Sequence, residues 1–479
     1  MKRDLIKNFA SGMTVVLPLA LTSCSEAEIE TRPNVIFVFA DQLRQQALGY
    51  AGDENVQSPN IDLLAQQSLN MTNAISGCPV SSPYRASLMT GQYPLSNGIF
   101  LNDLQLNSEA QTIAKQFLAA GYNTAYVGKW HLNGNGRSNY IAPEFRQGFQ
   151  YFKAIECNHN YNDSKYYDND DTDIKTWEGY DTFAQTADAM KYISTQATQN
   201  QPFMLMLSIG TPHDPYGTAP KEYQELYADK PISLRDNVPQ KSKNVATKNL
   251  KGYYAHVTAL DDAIGELLAH IKELGLDKNT IFVFTADHGD MLGSHGFRAK
   301  QRPYDESIRI PFLLRYPKMF GVDGGTDDLL FNVTDVMPTL LAMCNIPIPE
   351  SVEGRNVLPI LLGEQRDSVE AVIIESVSPY GEFRRSNGGR EYRGVRTKRY
   401  TYVRDMQGPW LLFDNDNDPY QLNNLIGNEQ AAALQAELDT LLMRMLRDRG
   451  DDFLSGWDYI DKWGYRSLLD EGGTVIYTK

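Results

Sequence analysis

Asn34-Val35-Ile36-Phe37-Val38-Phe39-Ala40-Asp41-Gln42 is the stretch whose reading decides the fold. Its first part is too short for a helix of ordinary length and apolar on both faces. Such a run reads as a strand buried between two layers of helices, which is the habit of parallel sheets. Similar runs return at 124–127, 203–207, 280–284 and 311–314, with helix-like stretches around 59–70, 109–120, 183–198 and 249–274 between them. Strands alternating with helices predict an α/β fold, a large and mostly parallel sheet sandwiched by helices.

Polar residues follow the carboxyl ends of these strands. Asp41 and Gln42 follow the first, Lys129 and His131 the second, His213 the third, and Asp287 and His288 the fourth. Ligands of open parallel sheets bind outside those ends. Four separate segments are therefore expected to meet on one edge. The polar, aromatic-rich segment 156–180 and the segment 213–248 read as loops. From residue 366 the pattern changes. Short strands are expected at 371–376, 394–403 and 410–413, then a helix over 428–447 with Leu434, Leu438, Leu441, Leu442 and Leu446 on one face. This predicts a smaller C-terminal subdomain, an antiparallel sheet plus helix, at 366–479, after a catalytic domain at 24–365.

The N-terminus reads as a processing segment. Lys2, Arg3 and Lys7 precede an apolar run from 13 to 21, and Leu21-Thr22-Ser23-Cys24 resembles a bacterial lipoprotein signal. The run is too short to span a bilayer. Residues 1–23 would be removed, leaving an exported protein whose membrane tie is a lipid on Cys24, in the periplasm or at the cell surface, on the outer membrane. The formal charge of −15 argues against nucleic acid as a partner. A locally basic pocket for a small anion remains compatible with it. Cys78, Cys157 and Cys344 allow one disulfide or three buried thiols, and their spacing is not that of a metal site. Cys78, three residues before Ser81, lacks the neighbours of a nucleophile.

Ser81-Ser82-Pro83-Tyr84-Arg85 opens a predicted helix. Pro83 falls in its first turn, where a missing N–H costs nothing. Ser81 is then placed at the helix N-terminus, where free N–H groups and the dipole favour an anion.

Continuing through Ala86-Ser87-Leu88-Met89-Thr90-Gly91, this segment resembles the activating signature of type I sulfatases, of the alkaline phosphatase superfamily. The likeness runs from about residue 33 to 425. It implies that Ser81 is oxidised to formylglycine (3-oxoalanine) by an anaerobic-type maturating enzyme that reads Pro83 and Arg85. The hydrated aldehyde offers one hydroxyl to attack sulfur and a second whose deprotonation releases sulfate. Unmodified serine would form an ester that is hard to hydrolyse. The resemblance further implies a Ca²⁺ site, with Mg²⁺ as second choice, made by Asp41, Gln42, Asp287, His288 and the modified Ser81. His288 departs from an all-oxygen set and is expected on the metal or on the sulfate. Gly128-Lys129-Trp130-His131 matches the family's Lys-x-His element, in which Lys129 grips nucleophile and sulfate and His131 takes the diol proton. Thr211-Pro212-His213-Asp214-Pro215 resembles the segment whose histidine protonates the leaving oxygen, and Lys300 matches the lysine that grips sulfate.

These implications define a sulfatase acting on sulfated carbohydrate. The rivals are a phosphoester or phosphonate hydrolase of the same superfamily and a non-catalytic glycan-binding lipoprotein. His159 and Arg384 lie in loops that could reach the cleft, so replacing either should raise KM for the true substrate and spare a small aryl sulfate. His295 is a candidate for the pocket lining, whereas His256 and His270 lie on a helix away from the chemistry. Asp414-Asn415-Asp416-Asn417-Asp418 lacks the glycine and acidic residue of a calcium loop and reads as a structural turn.

Overall fold

β1 (Asn34–Asp41) is buried along its whole length, with Val35 to Ala40 fully screened from solvent. A strand like this needs cover on both faces, and the sheet supplies it. In this computed structural model, which describes residues 32–476, β1 pairs in parallel with β7 (Phe203–Pro212) and β8 (Thr280–Ala286). The register sets Val35 opposite Met204 on one side and Ile281 on the other. Beyond β7 come β3 (Asn123–Lys129) and β4 (Tyr151–Ile155), both parallel. Beyond β8 come β9 (Phe312–Arg315), antiparallel to both its neighbours, then β2 (Leu69–Ile75) and β10 (Gly325–Asn332).

Two short antiparallel strands, β5 (Lys165–Asp168) and β6 (Lys175–Thr176), extend the other edge and complete ten strands. They lie in the segment expected to be loop. Their partly exposed polar and tyrosine side chains carry none of the apolar signal of a buried strand. A helix at Lys221–Ala228 likewise interrupts the loop expected at 213–248.

The helix Lys243–Glu273 shows how the layers close. Leu250, Tyr253, Tyr254, Val257, Leu260, Ile264, Leu267 and Ile271 recur at helical spacing and are all buried. Among the described residues no helix is long and apolar enough to cross a membrane. Residues 1–23 and Cys24 lie outside the described residues, and Cys78, Cys157 and Cys344 are free and buried.

The C-terminal sheet is antiparallel, in the order β11 (Val372–Ser376), β12 (Tyr392–Arg396), β13 (Tyr400–Asp405), β14 (Gly408–Asp414). The single strand expected over 394–403 is really a hairpin. Its turn runs through Thr397-Lys398-Arg399, closed by Thr397 N–H on the Tyr400 carbonyl at 2.8 Å. No Gly, Pro, Asn or Asp marks it, which hid it from the residue pattern. Alternation along β11 then does two jobs. Val372 and Ile374 pack on Ile75, Ile308 and Leu330 of the large sheet layer, and Ile373 turns to Leu438, Leu442 and Leu446 of the helix Ala432–Asp448.

A buried charge cluster locks this arrangement. Arg393 on β12 is fully buried, 2.5 Å from Asp451 Oδ2 and 3.4 Å from Glu375 Oε2. Arg449 donates to the same two carboxylates. Removing Arg393 leaves two buried carboxylates to share the single charge of Arg449. Arg393→Met should therefore cost about 3–5 kcal/mol, read from the urea midpoint of unfolding.

Candidate active site

β3 ends in Gly128-Lys129, and only glycine fits there. Gly128 has φ +108°, and a Cβ would come within 2.0 Å of the Ser208 carbonyl oxygen. The close approach of β3 and β7 brings Lys129 beside the end of β1, where its ammonium pairs with Asp41. Arg85, on the helix Ser81–Thr90, joins the same group from below. Its Nη2 lies 3.1 Å from Asp287 Oδ2 and 3.8 Å from Asp41 Oδ2, and its Nη1 donates to the Lys129 carbonyl and to Ser208 Oγ, both at 2.7 Å. Burial opposes the Asp41 charge, yet Lys129 foremost, with His213, Lys300 and Arg85, holds its pKa well below the usual carboxylate range.

Ser81 is fully buried, with Oγ 3.2 Å from His288 Nε2. The His288 tautomer follows from its other nitrogen. Nδ1 lies 3.0 Å from the Gly289 carbonyl and must carry the proton. Burial lowers this imidazole to about 4, so the ring is neutral. Its Nε2 lone pair then faces Asp41 Oδ1 at 3.6 Å and Asp287 Oδ1 at 3.4 Å. Three electron-rich atoms meet with no proton between them. Asp41 Oδ1 and Gln42 Oε1 are both buried without a hydrogen-bond partner. Asp41, Asp287 and His288 place ligand atoms within 4.8 Å of one another. These unsatisfied donors of electron pairs fit a hard cation.

The helix N-terminus itself contributes less than its position led one to expect. The Ser82 N–H is taken by Asn102 Oδ1 at 2.9 Å, Pro83 has none, and the Tyr84 N–H bonds the Val80 carbonyl. Positive charge for an anion comes instead from side chains: Lys129, Arg85 and Lys300. Lys300 Nζ lies 3.0 Å from His213 Nε2. The Nδ1 of His213 is 2.8 Å from the Asp214 carbonyl, so Nδ1 donates and Nε2 accepts from the lysine. Burial, then Lys300 and His159, push the His213 pKa well below its ordinary value. His159 stacks on His213 with centroids 4.1 Å apart, which places this loop residue against the site. Arg384 is exposed on the loop after Tyr380, and His295 stacks on Tyr304 and bonds Asn237.

His131 turns back with φ 61° and sets Nε2 at 2.8 Å from Asp103 Oδ1. Nε2 therefore carries the proton, and Nδ1, buried without a partner, is the open acceptor. Burial works against the Asp103 charge, but His131 and Arg137 outweigh it and hold the carboxyl far below its usual range. Glu156 accepts three backbone N–H groups, from Leu132, Asn133 and Gly134, and so fixes the loop behind His131. Asp103 and Asp290 carried no signal in the sequence, since an acidic residue far along the chain bears no mark of its partner.

The sheet order and this site define a member of the alkaline phosphatase superfamily. A sulfatase family model matches residues 33–346, and one for the C-terminal part of N-sulphoglucosamine sulphohydrolase matches 293–448. The chain is 44% identical over 465 residues to an ulvan-active sulfatase of Formosa agariphila, covering 95% of this chain and 90% of that one. It is 34% identical to an endo-4-O-sulfatase of Bacteroides thetaiotaomicron, covering 87% and 93%. A solved structure from that organism, described with a locus for metabolism of multiple glycosaminoglycans, superposes with TM-score 0.79 at 32% identity over 90% of this chain and 98% of that one. The chain belongs to the sulfatase family and is a sulfuric ester hydrolase.

Two outcomes follow from the geometry. Asp103→Asn frees the His131 ring to tilt, and a misplacement of that kind should lower kcat about 10²-fold with KM for a small aryl sulfate little changed. The second concerns His256, which is buried between Tyr180 Oη at 2.5 Å and the Pro215 carbonyl at 3.3 Å, and so pins the His213 loop. Burial lowers it to about 4, while the unfolded chain takes its proton near pH 6.5. The unfolded state thus binds more protons between these values, and stability present above pH 6.5 is lost as pH falls. Urea unfolding should show a loss of about 2 kcal/mol from this group at pH 5, absent in His256→Gln.

Proposed function

We propose that this sulfatase removes sulfate from sulfated carbohydrate outside the cytoplasm, using a formylglycine made from Ser81 and a cation held by Asp41, Gln42, Asp287 and His288. One observation carries the reading: the buried Ser81 Oγ, 3.2 Å from His288 Nε2, opens onto two carboxylates, an orphaned amide oxygen and three cationic side chains. The carbohydrate substrate rests on relatives named as ulvan-active and endo-4-O-sulfatases. Export and a lipid on Cys24 rest on the basic start, the short apolar run and Leu21-Thr22-Ser23-Cys24. A maturating enzyme of the anaerobic type, which accepts serine, is the partner this chemistry requires.

The hydrated aldehyde supplies a nucleophilic hydroxyl and a second hydroxyl whose loss of a proton frees the product. A bound cation would supply positive charge for a sulfate oxygen and the nucleophile; the oxygen-rich donor set suits a hard divalent cation, Ca²⁺ being the family's choice and Mg²⁺ the second. The rest belongs to the chain. Arg85 fixes Asp41 and Asp287. Lys129 and Lys300 hold the anion, and His131, through Nδ1, accepts the proton that must leave position 81.

His213 has to deliver a proton to the leaving oxygen, yet burial first, and then Lys300 beside it, keep the ring neutral. A sulfate group on Lys300 offsets that ammonium and lets Nε2 carry the proton.

Three measurements test this. Mass spectrometry of the active protein should show the Ser81 peptide lighter by two hydrogens or as its hydrate, and active protein with intact serine would overturn the mechanism. His213→Ala should cost about 10²–10⁴-fold in kcat on an unactivated sugar sulfate and far less on nitrophenyl sulfate, whose oxygen leaves unaided. Chelation followed by gel filtration should abolish activity, with calcium restoring it better than magnesium.

A further inference from the structure

We infer that Asp290 is a positioning residue that aims the Gln42 carbonyl oxygen at the cation and ties it to the loops bearing His213 and Lys300. The inference rests on the cation reading above and adds a residue to it.

Asp290 is fully buried, and both its oxygens are spoken for. Oδ2 accepts from Gln42 Nε2 at 2.7 Å and from the Tyr216 hydroxyl at 2.5 Å. Oδ1 accepts the backbone N–H groups of Leu292 and Ala299, both at 3.0 Å. Each donor belongs to a different part of the site. Gln42 follows β1, Tyr216 follows His213 by three residues, and Ala299 immediately precedes Lys300. All four donors are neutral, so the charge of Asp290 stays uncancelled by them and close to the proposed cation.

The amide of Gln42 has two faces, and Asp290 decides which one the cation meets. A carboxylate only accepts, so it must take the NH₂ end. The carbonyl end, Oε1, is left pointing away, buried and without a partner. Gln42 itself has φ 68°, in the left-handed region that few non-glycine residues adopt. If the carboxylate became an amide, its Oδ1 would stay with the two backbone N–H groups and its NH₂ would meet Gln42. Gln42 would then have to turn over and present its own NH₂ to the cation. The exchange is nearly isosteric, so loss of binding would come from the turned amide and the lost negative charge rather than from a cavity.

A second substitution should restore binding. Gln42→Glu added to Asp290→Asn lets the new NH₂ donate to one carboxylate oxygen and leaves the other for the cation, with net charge unchanged. Calcium affinity should be measured by titration calorimetry on the full chain with unmodified Ser81, so that turnover plays no part. Asp290→Asn should bind roughly 10–100-fold more weakly than the parent, the usual cost of losing such a supporting partner. The double variant should recover most of that loss.

Equal affinity of Asp290→Asn and the parent, or a double variant as weak as the single one, would overturn the proposal. Should Asp290→Asn alone not fold, folding and calcium binding in the double variant carry the same support, and their absence counts against it. A parent chain that binds neither Ca²⁺ nor Mg²⁺ removes the cation reading itself, and the inference with it.

Discussion

A single guanidinium at the floor of the site holds the molecule's chemistry together. Arg85 is fully buried, and its contacts reach four strands: Asp41 at the end of β1, the Lys129 carbonyl at the end of β3, Ser208 within β7 and Asp287 just past β8. Its face rests on the Phe39 ring at 4.9 Å. A buried charge costs several kcal/mol unless it is paired and hydrogen-bonded, and this one is paired twice. The carboxylates on either side are in the same position. Neither partner can leave without stranding the other, so the strand ends are held in register by electrostatic necessity as well as by the sheet ladder. Ser81 and Arg85 sit one helical turn apart on the same helix. Fixing the arginine therefore fixes the position from which position 81 meets its surroundings.

How much of this could be read in the chain depends on how local each signal was. β1, β7 and β8 are continuous apolar runs, and such runs have few other meanings, so the parallel core was legible. The residues at their carboxyl ends were legible for the same reason, with Ser81, Arg85, Lys129, His131 and Lys300 helped by a recognisable motif. β2 and β10, on the flank of the sheet, were not seen. Each mixes polar and apolar residues, and β10 begins exposed. The hairpin β12–β13 lacked a turn residue. Asp103 and Asp290 illustrate a different limit. Their worth lies in contacts to His131 and Gln42, 28 and 248 residues away in sequence, and no local pattern reports such distances. At the Ser81 helix start, Asn102 occupies the Ser82 N–H, a partner 20 residues away that the sequence could not show.

The small C-terminal sheet does more than cover an edge. The Glu375 N–H donates to the Gly77 carbonyl at 2.7 Å, and the Gln301 N–H donates to the Pro79 carbonyl at 3.1 Å. At Gly77 the two layers come so close that a Cβ would sit 2.8 Å from the Ile373 carbonyl oxygen. The Tyr380 hydroxyl accepts from the Asn102 N–H, and Asn102 in turn holds Ser82. The approach to Ser81 is thus braced from residues far toward the C-terminus. Precision at position 81 is borrowed from a subdomain that contributes none of the cation-binding or acid–base groups.

That bracing sets a clock on the newborn chain. Ser81 has no accessible surface in the folded chain, and Gly77 and Pro79 just before it are held by Glu375 and Gln301. At the usual pace of synthesis, roughly 5–20 residues per second, the interval between the appearance of residue 81 and residue 375 is roughly 15–60 s. Any enzyme that must grasp the Ser81 side chain has that interval, or whatever a chaperone adds to it, before the substrate becomes the interior of a protein.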